Sequence, residues 1–584
     1  MQFNIGKRRK QELSDGQVHK KLIRLWPGII IVLLQWLIRF VIPVIVPDDY
    51  TTQLGVFGGL FGGLAIVIWW LFFSRAPHIE RWGALVTAIV ALVVTSKFID
   101  KSIGTAMMGL MFIIYAIPVL SLAFVVWAVA TRRLSDGLRQ VTMVLTILLV
   151  SGMWALLRTN GMTGDARHDF AWRWAETAED RLLAHADNQR VNIKMDSAAM
   201  KTEAEWPGFR GLNRDGIIRG IRIMTDWSVT APVELWRRPV GPGCSSFAIH
   251  GNLFYTQEQR GEYETVSCYN LTTGNPVWKH HDKVRFYDSH AGAGPRATPT
   301  LADGRVFTLG ATGIVNALDA GNGSVIWSRD AASETGVKVL TWGFTGSPLV
   351  VDDVMIISLS GKLAAYDAAS GKPLWYGSDR GDSYSSPHLV SIGGVSQILL
   401  MSQSGALSVD PFRGTQLWKY SWPMESRILQ PAVIAGGDLL LAGEATGVKR
   451  VTVSNPEGQW TVKERWKSTE MKLNFNDFII HDGYAYGFDG ARIACMDVRN
   501  GKCKWKGDRY RGWLLLLADQ NLLLVLTEKG ELALVKATPD QFTELARIPA
   551  ITGKTWNHPA LAGDILLIRN SQEMVAFRLS LAGA

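Results

Sequence analysis

A tag of eleven residues recurs through the second half of the chain and constrains its fold more than any other feature. It reads "CYNLTTGNPVW" (Cys268–Trp278), "ALDAGNGSVIW" (Ala317–Trp327), "AYDAASGKPLW" (Ala365–Trp375), "SVDPFRGTQLW" (Ser408–Trp418) and "CMDVRNGKCKW" (Cys495–Trp505). The central Gly supplies the positive φ of a tight turn. The unit between tags is about 40 to 50 residues, a period that belongs to propellers and solenoids. Each unit opens with a small polar turn and an apolar strand, as in "ATPTLADG", "GSPLVVDD", "SSPHLVSIGG", "QPAVIAGGD", "NDFIIHDG" and "NHPALAGD". A second apolar strand follows, and the tag hairpin closes the unit. Four short strands with no room for a crossover helix predict antiparallel blades. The Trp ends the outermost strand, where its ring is expected to pack between that blade and the next, burying on the order of 200 Å².

Counting the units tests the architecture. Blades begin near Ser245, Ala297, Gly346, Ser385, Gln430, Asn476 and Trp513, and an eighth begins near Asn557 but ends at "MVAFRL" without an outer strand. Conversely "PVELWRRP" (Pro232–Pro239) carries Trp236 and has no inner strands before it. It is expected to complete the last blade, giving eight blades and no free sheet edge. The tag is degraded in the seventh unit ("TELARIP") and stretched in the fifth, where Trp466 follows "PEGQWTVKER". The structural tag residues are therefore Trp236, Trp278, Trp327, Trp375, Trp418, Trp466 and Trp505.

The front of the chain is different. Apolar segments at 25–46, 55–74, 82–98, 105–130 and 139–157 each approach the roughly 20 residues that cross a bilayer as a helix. The tail before them holds Lys7, Arg8, Arg9, Lys10, Lys20, Lys21 and Arg24, which account for most of the net charge of +9. The alternate loops with Arg75 and Arg81, and with Arg132, Arg133 and Arg139, are also basic, whereas "PDDYTTQ" has no Lys or Arg and the loop near Asp100 only Lys97 and Lys101. This pattern is a topology signal, not a nucleic-acid patch, and puts the N-terminus inside and everything after residue 158 outside. The first run is long, lacks a small-x-small site and is followed by four more, so a cleavable signal peptide is not expected.

The expected domains are a basic tail at 1–24, a five-helix transmembrane domain at 25–158, a helix, linker and loop at 159–232, and the propeller at 233–584. Gly55, Gly59 and Gly63 at four-residue spacing allow close helix packing. Arg39, one turn after Gln35, is a charge well inside a crossing. It either snorkels to the outer interface or marks a polar headgroup site, for example for a quinone. Thr177 and Asp180 have the spacing of an N-cap pair, "DNQRVNIKMDSAAMKTEAE" is a linker, and "WPGFRGLNRDG" (Trp206–Gly216) is an ordered loop rather than a strand. The four cysteines form no CxxC, CxxCH or adjacent pair, against haem attachment or a Cys-ligated zinc. Cys495 and Cys503 are either bonded across a hairpin or two small buried thiols.

The A-x-D-x-x-x-G-x-x-x-W tags resemble the repeat of the pyrroloquinoline quinone (PQQ) dehydrogenase propellers, shared with the outer-membrane assembly lipoprotein BamB. The resemblance covers residues 233–584. "WPGFRGLNRDG" is similar to a segment that leads into many bacterial PQQ-repeat proteins. Five crossings ahead of such a propeller are similar in architecture to the membrane-bound quinoprotein glucose dehydrogenase. The resemblance implies a bacterial inner-membrane protein with a cytoplasmic N-terminus and a periplasmic propeller.

A PQQ site needs cations, stacking rings, a carboxylate- and amide-ligated calcium and an Asp base. The residues opening each first strand should ring the channel: Ser245, Ser246, Arg296, Thr298, Ser347, Ser385, Ser386, Gln430, Asn476, Asp477, Trp513, Asn557 and His558, with Trp556 beside them. Candidate ligand contacts are Arg296, Ser347, Ser386, Gln430, Asn476, Trp513 and Asn557, and candidate catalytic groups are His558 and Asp477. Against this stands the bland reading that turns before strands are rich in Ser, Asn and Pro anyway. Asp477 is the one carboxylate in the ring, so no metal set is assigned and PQQ with calcium is left open. Glu258 and Asp382 lie on loops that sequence alone does not place. The propeller also lacks the adjacent cysteine pair and long inserts of many of these dehydrogenases.

The leading expectation is a membrane-anchored scaffold that binds a periplasmic protein or small polar ligand. The rival is a PQQ-dependent dehydrogenase oxidising a sugar or alcohol and passing electrons to membrane quinone. A third is a sensor coupling outside ligand binding to the helices.

Overall fold

The structure, a computed structural model, describes residues 23–583 apart from 47, 165–166, 185–201, 379–380, 424–427, 435 and 444–445. The basic tail, except Arg24, and most of the linker lie outside the described residues. The chain divides into two compact units, Met1–Ala175 and Glu176–Ala584.

In the first unit, five helices are long and apolar enough to cross a membrane: α1 (Trp26–Ile45), α2 (Tyr50–Phe73), α3 (His78–Thr95), α4 (Met111–Ala130) and α5 (Asp136–Leu156). Two boundaries differ from the apolar runs. Helix α2 starts early because Asp48 accepts from the Thr51 N–H at 2.7 Å and Thr51 Oγ1 accepts in return from the Asp48 N–H at 3.3 Å. Helix α4 starts late because Met107, Met108 and Gly109 all take positive φ, ending the apolar stretch as a turn. The small residues of α2 set close approach, as expected for four-residue spacing: a Cβ on Gly59 would stand 3.2 Å from Arg39 Cδ, and one on Gly63 2.2 Å from Ile117 of α4. An unexpected hairpin, β1 (Leu157–Met162) with β2 (His168–Trp172), follows α5.

The second unit is the eight-bladed propeller. Blade 1 runs Ala248–His250, Leu253–Arg260, Tyr263–Asn270, Pro276–Asp282, and blade 2 Thr300–Ala302, Arg305–Leu309, Ile314–Asp319, Val325–Asp330. Blades 3 to 7 repeat this from Leu349, His388, Ala432, Ile479 and Gly512. Blade 8 takes three strands from the end of the chain, Ala560–Ala562, Ile565–Arg569 and Glu573–Arg578, and its outer strand from Val233–Pro239. That pair is antiparallel with Trp236 opposite Ala576, so the ring closes as the strand count requires. Inner strands are buried almost throughout, as in Leu522–Thr527 of blade 7, and the cores lie between successive sheets.

The tag has a mechanical explanation across blades. The indole N–H of Trp327 in blade 2 donates to the Ala368 carbonyl of blade 3 at 3.0 Å, and its ring lies over Gly371 of the blade 3 tag. Gly371 has φ +70°, and a Cβ there would sit 2.6 Å from a ring carbon. Trp236 meets Gly274, Trp278 meets Gly323, Trp375 meets Gly414 and Trp466 meets Gly501 in the same way. Where the fifth unit lacks the tag Gly, Trp418 of blade 4 turns its indole to Gln397 Oε1 at 2.6 Å. Cys495 and Cys503 are free thiols, and Cys495 lies opposite Trp505 rather than Cys503.

Candidate functional site

Most of the polar atoms on the residues that open each first strand stitch one blade to the next. Thr298 Oγ1 accepts from the Ser246 N–H at 3.1 Å, Ser347 Oγ from the Thr298 N–H at 3.0 Å, and Ser386 Oγ from the Ser347 N–H at 2.9 Å. Ser385 Oγ donates to the Leu429 carbonyl at 3.1 Å, and Asp477 Oδ1 accepts from the Gln430 N–H at 2.8 Å. Asn476 Nδ2 donates to the Gly512 carbonyl at 2.6 Å, carrying the belt from blade 6 to blade 7. Asn557 Nδ2 donates to the Gly243 and Ser245 carbonyls and Ser246 Oγ to the His558 carbonyl, joining blade 8 to blade 1. Side chains placed this way satisfy strand-end groups that would otherwise be buried unpaired.

Asp477 occupies the position of the belt serines with a charge added. Its second oxygen faces Arg210 Nη1 at 3.5 Å and His558 Nε2 at 3.8 Å. Burial works to raise this carboxyl, and Arg210, His558 and the Gln430 N–H together hold it below the usual value. His558 lies on Trp513 with ring centroids 3.7 Å apart, and Phe209 meets it edge-on at 5.0 Å. Burial lowers its pKa against the pull of Asp477. The ring is thus enclosed between Trp513 and Phe209 with Asp477 at its edge.

The arginines come from the lead-in segment Trp206–Gly216, whose reach into the axis sequence reasoning missed. Trp206 bridges to Ile249 of blade 1, and Ile217–Ile218 adds a parallel strand to blade 7, so the segment crosses one end of the channel. Arg210 and Arg214 both take positive φ, which turns them inward. Arg210 Nη2 donates to the Phe478 and Asp215 carbonyls, each at 3.0 Å. Arg214 donates to the carbonyls of Ser347 (3.2 Å), Pro387 (2.9 Å) and Pro348, reaching blades 3 and 4. Burial lowers its pKa to about 9. His388 beside it is pushed down to about 3, first by burial and then by Arg214 and Arg210. The available signal was two arginines four apart among three glycines in a segment with no apolar period.

Arg296 is tied down separately: it ion-pairs with Asp288, donates to the Gly292 carbonyl at 2.7 Å and lies 5.1 Å from the Phe286 ring centroid. Nearby, Lys554 Nζ lies 4.0 Å over the Trp556 ring and donates to the His290 carbonyl. Trp342 and Tyr384, 4.7 Å apart, complete a polar and aromatic patch that is partly exposed. Glu258 does not reach the axis; it accepts from the Gly241 N–H and the Ser267 hydroxyl and pairs with Arg260 at 3.1 Å. The Asp382 carbonyl accepts from the Gln403 N–H.

Eight four-stranded blades, closed by the pairing of their first and last segments and locked by the Gly–Trp tag, make this unit a PQQ-type repeat propeller. Residues 228–387 and 262–507 match the family described as outer membrane protein assembly factor BamB. A BamB from Moranella endobia is 23% identical over 292 residues, 47% of this chain and 72% of that protein. One from Shewanella oneidensis is 28% identical over 156 residues, 25% of this chain and 36% of that protein. The quinohemoprotein alcohol dehydrogenase ADH-IIG of Pseudomonas putida is 34% identical over 131 residues, 22% of this chain and 17% of that protein. The chain thus spans about a third of the Shewanella relative's length.

The donor set does not fit a PQQ–calcium site. Calcium takes six to eight oxygen ligands, whereas the belt hydroxyls and amides are engaged between blades and the Asp477 carboxylate is matched by Arg210. Among the described residues no group of three or more His, Cys, Asp or Glu converges.

Proposed function

We propose that the chain is a membrane-anchored scaffold, held in a bacterial inner membrane by α1–α5 with its propeller on the periplasmic side, binding a protein partner through the propeller surface. One observation carries this reading: the axis, where a propeller of this repeat type would hold a small molecule, is occupied by the chain's own Arg210 and Arg214. The similarity to BamB, an outer membrane protein assembly factor, supports the same class of role.

The alternative is a quinoprotein dehydrogenase of a sugar or alcohol. It is favoured by the similarity to ADH-IIG and by the Arg296, Lys554 and Trp556 patch. Purified full chain incubated with PQQ and calcium, then desalted, separates the two. The scaffold reading expects no stoichiometric quinone absorbance and no dye-linked oxidation across a panel of sugars and alcohols. Retention with turnover overturns it; retention without turnover, abolished by Arg296→Ala, assigns a ligand site and overturns the purely protein-binding form.

A further inference from the structure

One end of the helices in the first unit is closed by a cap built from two pieces, the loop 96–110 between α3 and α4 and the hairpin β1–β2 after α5. Hydrogen bonds join the pieces. The Thr159 N–H of β1 donates to Ser102 Oγ of the loop at 2.9 Å. Arg173, just past β2, donates from Nη1 to the Phe98 carbonyl of the loop and the Ala155 carbonyl of α5, each at 3.1 Å, and its Nε lies 3.5 Å from Asp100 Oδ2. Held from three elements, the cap cannot fold its side chains away without breaking these contacts.

It nevertheless presents large apolar side chains to its surroundings. Leu157 lies opposite Trp172 and Thr159 opposite Phe170, so Phe170 and Trp172 share one face of the hairpin. Phe170 uses that face to pack on Trp154 of α5, ring centroids 5.7 Å apart. Trp172, two residues further along, remains 47% exposed, and its ring stacks on that of Trp174, 68% exposed, at 5.1 Å and 10°. In the loop, the successive positive-φ residues Met107, Met108 and Gly109 hold the Met108 side chain out, 90% exposed. A rigid cluster of this kind marks a surface that something apolar covers.

Helix length says what covers it. Helix α3 has 18 residues and α4 has 20, which is about 27 Å and about 30 Å of helix and matches a hydrocarbon core of about 30 Å. Residues directly past these ends therefore stand where hydrocarbon gives way to headgroups. An indole, with an apolar body and one N–H donor, suits that boundary. Lys97 and Lys101 on the exposed side of the loop have stems long enough to reach lipid phosphates from it.

We propose that Trp172, Trp174 and Met108 form a lipid-binding surface seated in the headgroup layer. The inference rests on the membrane reading above. The full chain is reconstituted at one copy per nanodisc with a phospholipid carrying a photoactivatable diazirine just below its glycerol. Cross-links are mapped by mass spectrometry, and hydroxyl-radical oxidation is followed in the same discs. Lipid is expected to cross-link to residues 172–174 and to Met108, and Met108 to oxidise several-fold more slowly than Met224 of the propeller, although Met224 is only 39% exposed. Trp174→Ala, which removes the more exposed ring, should cut the cross-link yield at the hairpin several-fold. Val86 of α3 and Leu145 of α5, both exposed on their helices, report on the membrane reading itself through a second lipid labelled at the end of its acyl chain. No labelling there defeats that reading and this inference with it. Labelling there with none at the cap, or Met108 oxidised as fast as Met224, overturns this inference alone. So does protection of the cap without lipid cross-links, which would assign the surface to protein.

Discussion

At the scale of single residues, the tag is a lock between blades, and its two halves sit on different blades. Because Gly371 has φ +70° and faces the Trp327 ring, Gly371→Ala is strained twice, by backbone and by contact, and should cost about 1–3 kcal/mol. Trp327→Ala should cost about 3–5 kcal/mol. The double variant should cost clearly less than the sum, because the Ala methyl fills space the ring vacates; denaturant midpoints of the four proteins measure this coupling. The tag could be read from sequence because its Gly, turn and Trp are local. That the Trp answers the next blade's Gly could not, since their separation is set by blade length. Two buried titrations make a second test. Burial raises Glu264 from 4.5 to about 8, so the folded state holds a proton the unfolded chain has lost, and stability falls as pH rises across that interval. Glu264→Gln should flatten that limb. His388, pushed down from 6.5 to about 3, works oppositely: its contribution is lost as pH falls through that window, and His388→Gln should flatten the acid limb. Denaturation midpoints across pH 4 to 9 read both slopes.

At the scale of elements, the lead-in segment does most to decide what the axis can hold. Arg214 supplies hydrogen bonds to the carbonyls of Ser347, Pro348 and Pro387, the second of which also accepts from the Thr300 hydroxyl at 2.6 Å. Arg214→Met removes the donors while keeping the stem and should lower stability by about 2–4 kcal/mol. Arg214→Lys should rescue little, because a point donor cannot serve carbonyls arranged for a planar fork. Unfolding midpoints, with limited proteolysis near residues 202–216, check both. Sequence placed Trp206–Gly216 in a loop and stopped there, because positive φ at two arginines leaves no mark in residue pattern. It likewise listed the polar residues that open the blades but gave no way to tell a serine that stitches blades from one that holds a ligand. The apolar runs marked all five long helices, yet missed the turn at Met107–Gly109 and the hairpin after α5, whose strands are short and mixed in polarity.

At the scale of the whole molecule, the propeller is a ring whose integrity depends on one non-local pairing. Seven blades are each drawn from contiguous chain apart from the short strand Ile217–Ile218 added to blade 7, whereas blade 8 joins Val233–Pro239 to Glu573–Arg578. This was legible because the strand count was one short at one end and one over at the other. It also sets the energetics, since closing the ring constrains nearly the whole domain. Arg238 lies opposite Met574 across that pair, and Arg305 lies opposite Asp319 within blade 2. Opposed positions in an antiparallel pair are near enough for a disulfide. A bond between Arg238→Cys and Met574→Cys closes a loop of roughly 340 residues and, by chain entropy, should stabilise by about 5–6 kcal/mol. One between Arg305→Cys and Asp319→Cys closes roughly 15 residues and should give about 3 kcal/mol. Native strain lowers both figures, but the larger loop should still win. With each bond mapped by mass spectrometry, oxidised and reduced unfolding midpoints give the two increments. A closing bond that does not form, or that stabilises no more than the one inside blade 2, would mean that the ring is not held shut where residues 236 and 576 meet.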